Sequence, residues 1–167
     1  DPVLDAIWEL SATTLHLCMQ NEVWDGVKRD QLPWMGDLYT EALAAYHVLG
    51  DASGGSGDAG RLVRHTLAGL AEVGPAPARP VEQARYPGLA AIWRGGGGDS
   101  NGIPSYTMWW LVGLADYLRY TGDTGLIWEL AGEIRATLDH ISRSVGEDGL
   151  WRLRDGEWRH LDISAGL

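Results

Sequence analysis

The residues with the most chemistry per unit length run from Trp24 to Asp37. They hold three carboxylates spaced Asp25-x4-Asp30-x6-Asp37, the adjacent cations Lys28 and Arg29, and the tryptophans Trp24 and Trp34. An apolar run, Leu32-Pro33-Trp34-Met35, interrupts the charge. Such a cluster can serve in three ways. In acid/base catalysis, glycoside hydrolysis needs one carboxylic acid to protonate the leaving oxygen and one carboxylate opposite it. Neighbouring like charges, and an apolar wall such as Trp34, raise a carboxyl pKa. In metal binding the oxygens would suit Mg²⁺ or Ca²⁺, although Lys28-Arg29 stand in their midst and the spacing of an EF-hand loop is absent. In a structural role Asp30 caps a helix near Pro33 and Asp25 holds a turn with Gly26. Spacing alone leaves all three open.

Composition narrows the partners. With 167 residues the chain is one domain or part of one, and 45% hydrophobic residues suffice for a sizeable core. A net charge of −10, with scattered Arg and a single Lys, argues against a nucleic-acid partner. One cysteine, Cys18, excludes an internal disulfide and a cysteine-based zinc site. No apolar run approaches the ~20 residues of a membrane span, and no cofactor motif stands out. The start at Asp1-Pro2 shows no signal-peptide pattern, which leaves the compartment open. Nine Trp and six Tyr stand against no Phe. That bias fits a packed core, and it fits sugar binding equally. Indole faces stack on the C–H faces of a pyranose, and a Tyr hydroxyl can bond its ring hydroxyls.

The elements that must position these residues read as helices, so the fold class is all-α. Periodicity predicts helices over 3–19 (apolar face Val3, Ile7, Leu10, Thr14, Leu17/Cys18), 33–49, 58 or 60 to 73, 103–122, and 123 to about 145 with Asp123 as cap. The fourth is apolar around most of its circumference and is expected to be deeply buried. A Gly/Ser loop follows the second helix, and a long irregular stretch separates the third from the fourth. Short alternating runs at 150–153 and 158–161, around Asp155-Gly156, predict a small β-hairpin. The rhythm is that of stacked α-hairpins. Ser164 resembles a further N-cap, so residues 1–167 are expected to be the first part, about five helices, of a larger helical domain.

At this point a family likeness enters. Lys28-Arg29-Asp30-Gln31-Leu32-Pro33-Trp34-Met35-Gly36-Asp37 resembles the signature of the α-L-rhamnosidases of glycoside hydrolase family 78, in which an Asp precedes Arg-Asp/Glu and then Trp-x-Gly-Asp. Asn101-Gly102-Ile103-Pro104-Ser105-Tyr106, Tyr120-Thr121-Gly122-Asp123 and Asp148-Gly149-Leu150-Trp151 continue the likeness in the family's order. The resemblance implies a partial (α/α)6 barrel of the six-hairpin glycosidase type and inverting hydrolysis of a terminal α-L-rhamnosyl or related linkage. It implies Asp30 as general acid, with Asp25 and Asp37 binding sugar hydroxyls, Arg29 as a site arginine, and Trp34 and Tyr106 as sugar-contacting aromatics. The family uses no metal or cofactor in this chemistry. Its water-activating Glu lies much further along the chain, so residues 1–167 are expected to be inactive alone and to expose apolar helix faces. Against the shorter variants of the signature Asp30 is the acid; against members with Arg-Asp-Glu and one residue more between the first and last Asp, Gln31 occupies the place of the acid, and Ile163 follows Asp162 where members often carry Trp. Those departures keep a second expectation in play, a non-catalytic carbohydrate-binding or structural helical toroid.

Other residues carry less. Trp109 and Trp110 suit core packing. His16, His47, His65 and His140 lie within predicted helices without a second ligand at usable spacing. His160, beside Asp162, is a candidate for the pocket lining, and Cys18 reads as a small buried apolar residue.

Overall fold

The computed structural model describes residues 1–49, 57–71 and 104–152. Within them the chain is all-α: α1 (Pro2–Cys18), α2 (Met35–Val48), α3 (Asp58–Ala71), α4 (Pro104–Thr121), α5 (Thr124–Glu129) and α6 (Ala131–Ser144). Local chemistry sets several of these ends. The Asp1 carboxylate accepts from the Val3 N–H (2.8 Å) and Pro2 occupies the first turn of α1, where its missing N–H costs nothing. Asp123 caps α5 through the Gly125 N–H (2.8 Å), as expected. Gly122 supplies the left-handed residue (φ 70°) that ends α4.

The core lies where α2, α3 and α4 meet. Met35, Leu38, Val63, Leu67, Leu70, Trp110, Leu114 and Tyr117 are closed from solvent there, joined by Val23 from the loop and Leu126 from α5. Helices α2 and α4 run parallel: Gly36 faces Tyr106, Tyr39 stacks on Trp109 (centroids 4.4 Å apart) and Tyr46 on Tyr120 (4.9 Å). Helix α3 runs against them. The Trp110 indole donates to the Leu67 carbonyl (3.0 Å), and Arg64 reaches Asp123 and Glu129 beyond the end of α4. Asp123 also accepts from the Tyr117 hydroxyl (2.7 Å), which locks the α4–α5 corner.

Four expectations are refined. Helix α2 starts at Met35, two residues after Pro33, because Trp34 stays extended (ψ 123°). The helix expected from Asp123 to Val145 is two helices, since Leu130 leaves helical ψ (13°) to put its side chain into the core. Trp110 is fully buried, but Met108, Trp109 and Val112 keep one face of α4 exposed, so that helix is covered on one side. In α1 only Leu15 and Cys18 are buried, Leu15 against Ala45 of α2 and Ala59 of α3. Val3, Ile7, Leu10 and Leu17 of its expected core face are exposed instead.

No ladder of strands forms among the described residues. Trp151 makes a single antiparallel bridge back to Val145 across a turn at Gly149 (φ 77°), and Met19 makes another to Val23. The expected hairpin pairing of 150–153 with 158–161 falls largely outside the described residues, as do His160, Asp162 and Ile163.

Candidate functional site

The stretch from Trp24 to Asp37 is a latched loop that ends on the first turn of α2. Its base is closed twice by one residue: the Asp25 N–H donates to the Leu32 carbonyl (3.0 Å), and the Asp25 carboxylate accepts from the Leu32 N–H (3.1 Å). The Trp24 N–H donates to the carbonyl of Cys18 (2.9 Å) and the Val23 N–H to the Thr66 hydroxyl (3.1 Å), so the entry strand is tied to α1 and α3. Asp25 thus has a structural role, but it latches the loop to Leu32 instead of holding a turn with Gly26, and its carboxylate lies beside α2.

The tip points away. Val27 to Gln31 are exposed, and Asp30 and Gln31 both sit in the left-handed region at φ 56°. Two consecutive non-glycine residues there carry backbone strain of order 1 kcal/mol each. The Gln31 amide donates to the Val27 carbonyl (2.9 Å), and Arg29 pairs with Asp30 at 3.6 Å. Asp30 does not cap α2. The capping position belongs to Trp34, with no side-chain hydrogen bond to the first turn.

Beyond Pro33, which is buried, the chain enters α2 with Trp34, Asp37 and Glu41 at i, i+3 and i+7, hence on one helix face. Trp34 meets Tyr106 of α4 edge to face (centroids 6.3 Å, planes at 86°). Gly36 makes that approach possible, because a Cβ there would lie 2.8 Å from the Tyr106 ring. The Trp34 indole nitrogen is buried and has no hydrogen-bond partner among the described residues. Two aromatics chosen from sequence, seventy-odd residues apart, therefore form one wall.

The perturbed carboxyl is one that spacing did not single out. Glu41 is half-buried, and its pKa is pushed up to about 7, first by desolvation, then by the charges of Asp37 and Asp25. The Cys18 thiol at the end of α1 is pushed up as well, by burial and then by Glu41 and Asp25. Asp25, Asp37, Glu41 and Cys18 thus share one electrostatic neighbourhood between α1, the loop and α2. The signal for Glu41 was available as the i+4 neighbour of Asp37. The size of its shift was not, because desolvation is set by what packs over the helix. A carboxyl with a pKa near 7 is part acid and part base at neutral pH, the condition suited to proton transfer.

Of the sequence-chosen residues, the structure gathers Asp25, Trp34, Asp37 and Tyr106 around the start of α2, and sets Arg29 and Asp30 together on the loop tip. No group of three or more His, Cys, Asp or Glu side chains suited to a metal ion occurs among the described residues. Among the histidines, His47 meets the Tyr120 hydroxyl (3.3 Å), and buried His140 pairs with Ser144 (3.2 Å) and abuts Trp151. No family model, no curated protein and no solved structure matches the chain.

Proposed function

We propose that this chain carries the sugar-binding and proton-donating half of an inverting glycoside hydrolase of the α-L-rhamnosidase type, built on a partial (α/α)6 barrel. The observation that carries the reading is the meeting at the start of α2 of an aromatic wall, Trp34 with Tyr106, and a carboxylate cluster, Asp25 and Asp37 with Glu41. An apolar ring face beside fixed hydrogen-bond acceptors is what a monosaccharide presents a match to: C–H faces on one side, hydroxyl donors on the other. Parallel α2 and α4 with α3 antiparallel to them suits the alternating direction of a helical-hairpin barrel.

In this reading Asp25 and Asp37 accept hydrogen bonds from sugar hydroxyls, and Arg29 orients Asp30. Asp30 gives its proton to the glycosidic oxygen as the bond to the anomeric carbon breaks, and a water activated by a second carboxylate attacks from the opposite face. That second carboxylate is not assigned to a residue of 1–167, so turnover belongs to the whole domain.

The test separates binding from turnover. Titration of L-rhamnose and an aryl α-L-rhamnoside, followed by tryptophan fluorescence, should saturate, and Asp37→Asn should weaken binding by about 10-fold, as loss of a charge-assisted hydrogen bond does. In the whole domain Asp30→Asn should lower kcat far more than it raises KM. No saturable sugar binding would remove the reading. Binding that persists while Asp30→Asn leaves turnover untouched would remove Asp30 as acid. The exposed, left-handed position of Asp30 on the loop tip favours one second reading, a carbohydrate-binding helical toroid without catalysis. Sugar binding without any hydrolysis by the whole domain would select it.

A further inference from the structure

We propose that residues 26–31 form a lid on the candidate site, held open and strained in the free chain and closing over a sugar seated against Trp34 and Tyr106. The inference rests on the proposed sugar site and adds to it the movement that brings Asp30 to the glycosidic oxygen.

The loop divides into a fixed base and a free tip. At the base the Asp25–Leu32 latch closes through both backbone and side chain, the Trp24 N–H is held by the Cys18 carbonyl, and Pro33 is buried. The tip has no such anchorage. Its hydrogen bonds run within itself, from the Gln31 amide to the Val27 carbonyl (2.9 Å) and from the Gln31 N–H to the Arg29 carbonyl (2.6 Å). The pair of Arg29 with Asp30 at 3.6 Å is exposed to solvent and adds little. Among the described residues no hydrogen bond or ion pair joins 26–31 to a helix.

The backbone of the tip is at odds with its sequence. The bond from Gln31 to Arg29 closes a three-residue turn around a left-handed Asp30, a rare and strained form. Asp30 and Gln31 both have φ 56°, where a side chain is strained and glycine is not. The glycine of the loop is elsewhere. Gly26 is not left-handed, and a Cβ added to it would meet only the Arg29 carbonyl oxygen, at an ordinary 3.8 Å. Side chains therefore stand where glycine would fit, and glycine stands where a side chain would fit. Such a conflict is expected where a segment acts in a second conformation. A glycine that the open form does not need suits a hinge.

The direction of closing follows from what each part carries. The base leads into Trp34, which forms the wall with Tyr106, and the Asp25 and Asp37 carboxylates lie beside that end of α2. Arg29 and Asp30, the other polar groups of the proposed site, ride on the tip. A six-residue loop doubled back on itself reaches about 10 Å from its base, more than the thickness of one sugar ring. Contacts made to the sugar only in the closed form shift the population toward it, and relief of the two left-handed residues adds to that shift.

Lys28, on the tip, is the only lysine in the chain, so a lysine-specific endoprotease cuts the 167-residue protein once. That cut should be rapid in the free chain and slower by about 5-fold or more in saturating L-rhamnose. Its midpoint should match the tryptophan-fluorescence titration. Gln31→Gly and Gln31→Ala both lose the bond to Val27, but only alanine keeps the strain of the open tip. Gln31→Ala should therefore bind L-rhamnose about 5-fold more tightly than Gln31→Gly. Saturable binding with Lys28 cut at an unchanged rate overturns the lid and leaves the sugar site standing. Equal affinity in the two Gln31 variants also overturns it. So does an equal slowing of cleavage at Arg135 by an arginine-specific protease, which reports tighter folding of the whole chain. Absence of saturable sugar binding overturns the lid together with the site it covers.

Discussion

Along the seam between α2 and α4, Leu38, Trp110 and Tyr117 are closed from solvent, whereas along the first half of α1, Val3, Ile7 and Leu10 stand mostly exposed. Both regions carry apolar residues at three-to-four spacing, and both form helices. Periodicity reports that a helix has an apolar face; it does not report what covers that face. What separates the two regions is fit. The seam has Gly36 and Gly113 where side chains from the facing helix press in, and a hydrogen bond from Trp110 into α3. Helix α1 has neither, and only its last turns find α2 and α3.

The largest expected effect tests that contrast head on. Trp110→Ala should cost about 3–5 kcal/mol, since it empties the centre of the core and removes the indole's hydrogen bond to the Leu67 carbonyl. Leu10→Ala, which removes three carbons from an exposed position on α1, should change stability by no more than about 0.5 kcal/mol. Urea denaturation measures both. Equal costs would mean that the free half of α1 is covered in solution, and the contrast would collapse.

The two seam glycines sharpen it. Gly36→Ala places a methyl 2.8 Å from the aromatic ring of Tyr106, which must swing away from Trp34. Overpacking of this kind should cost about 1–3 kcal/mol, and under the proposed function sugar affinity should fall with it. Gly113→Ala meets the tip of Met35 at 2.9 Å, the far end of a flexible side chain. The helix gains up to about 1 kcal/mol from the replacement, so the net change in stability should be near zero. If the two variants behave alike, the seam is uniformly tolerant and Gly36 has no special part in forming the aromatic wall.

What the sequence makes legible follows the range of the forces involved. Helix starts at Asp1-Pro2 and at Asp123, and the stop at Gly122, are readable because capping is decided within a few residues. The break at Leu130 is not, because it trades helix geometry for burial in the core. The same division holds in the site. Asp25, Trp34 and Asp37 stand out by type and spacing and Tyr106 by the family likeness, and these four gather at the start of α2, while Arg29 and Asp30 sit on the exposed loop tip. The edge contact of Trp34 with Tyr106 depends on Gly36, whose value shows only once α4 lies across it. Glu41 does not stand out in the sequence, because a helical Glu is usually solvated and its desolvation arises only from tertiary packing.

Glu41 lies at the junction of the two regions, between the end of α1 and the open face of α2, and its titration tests how firmly that junction is packed. A carboxyl whose folded pKa is about 7, against an ordinary value of 4.5, binds its proton more tightly in the folded state than in the unfolded one. Its contribution to stability is therefore greatest below about pH 4.5 and declines as pH rises through 7. With the partial solvent screening of a half-buried group, the decline should be about 1–2 kcal/mol. Glu41→Gln, which keeps the shape of the protonated form, should remove that decline and leave the variant more stable than the parent at pH 8 by a similar amount. Asp37→Asn removes the larger of the two neighbouring charges and should shift the midpoint of the decline to lower pH without abolishing it, because desolvation remains. Thermal or urea denaturation across pH 4 to 8 resolves these shapes. A stability profile identical in the parent and Glu41→Gln would mean that water reaches Glu41 freely. The last turns of α1 would then be no better packed than the first.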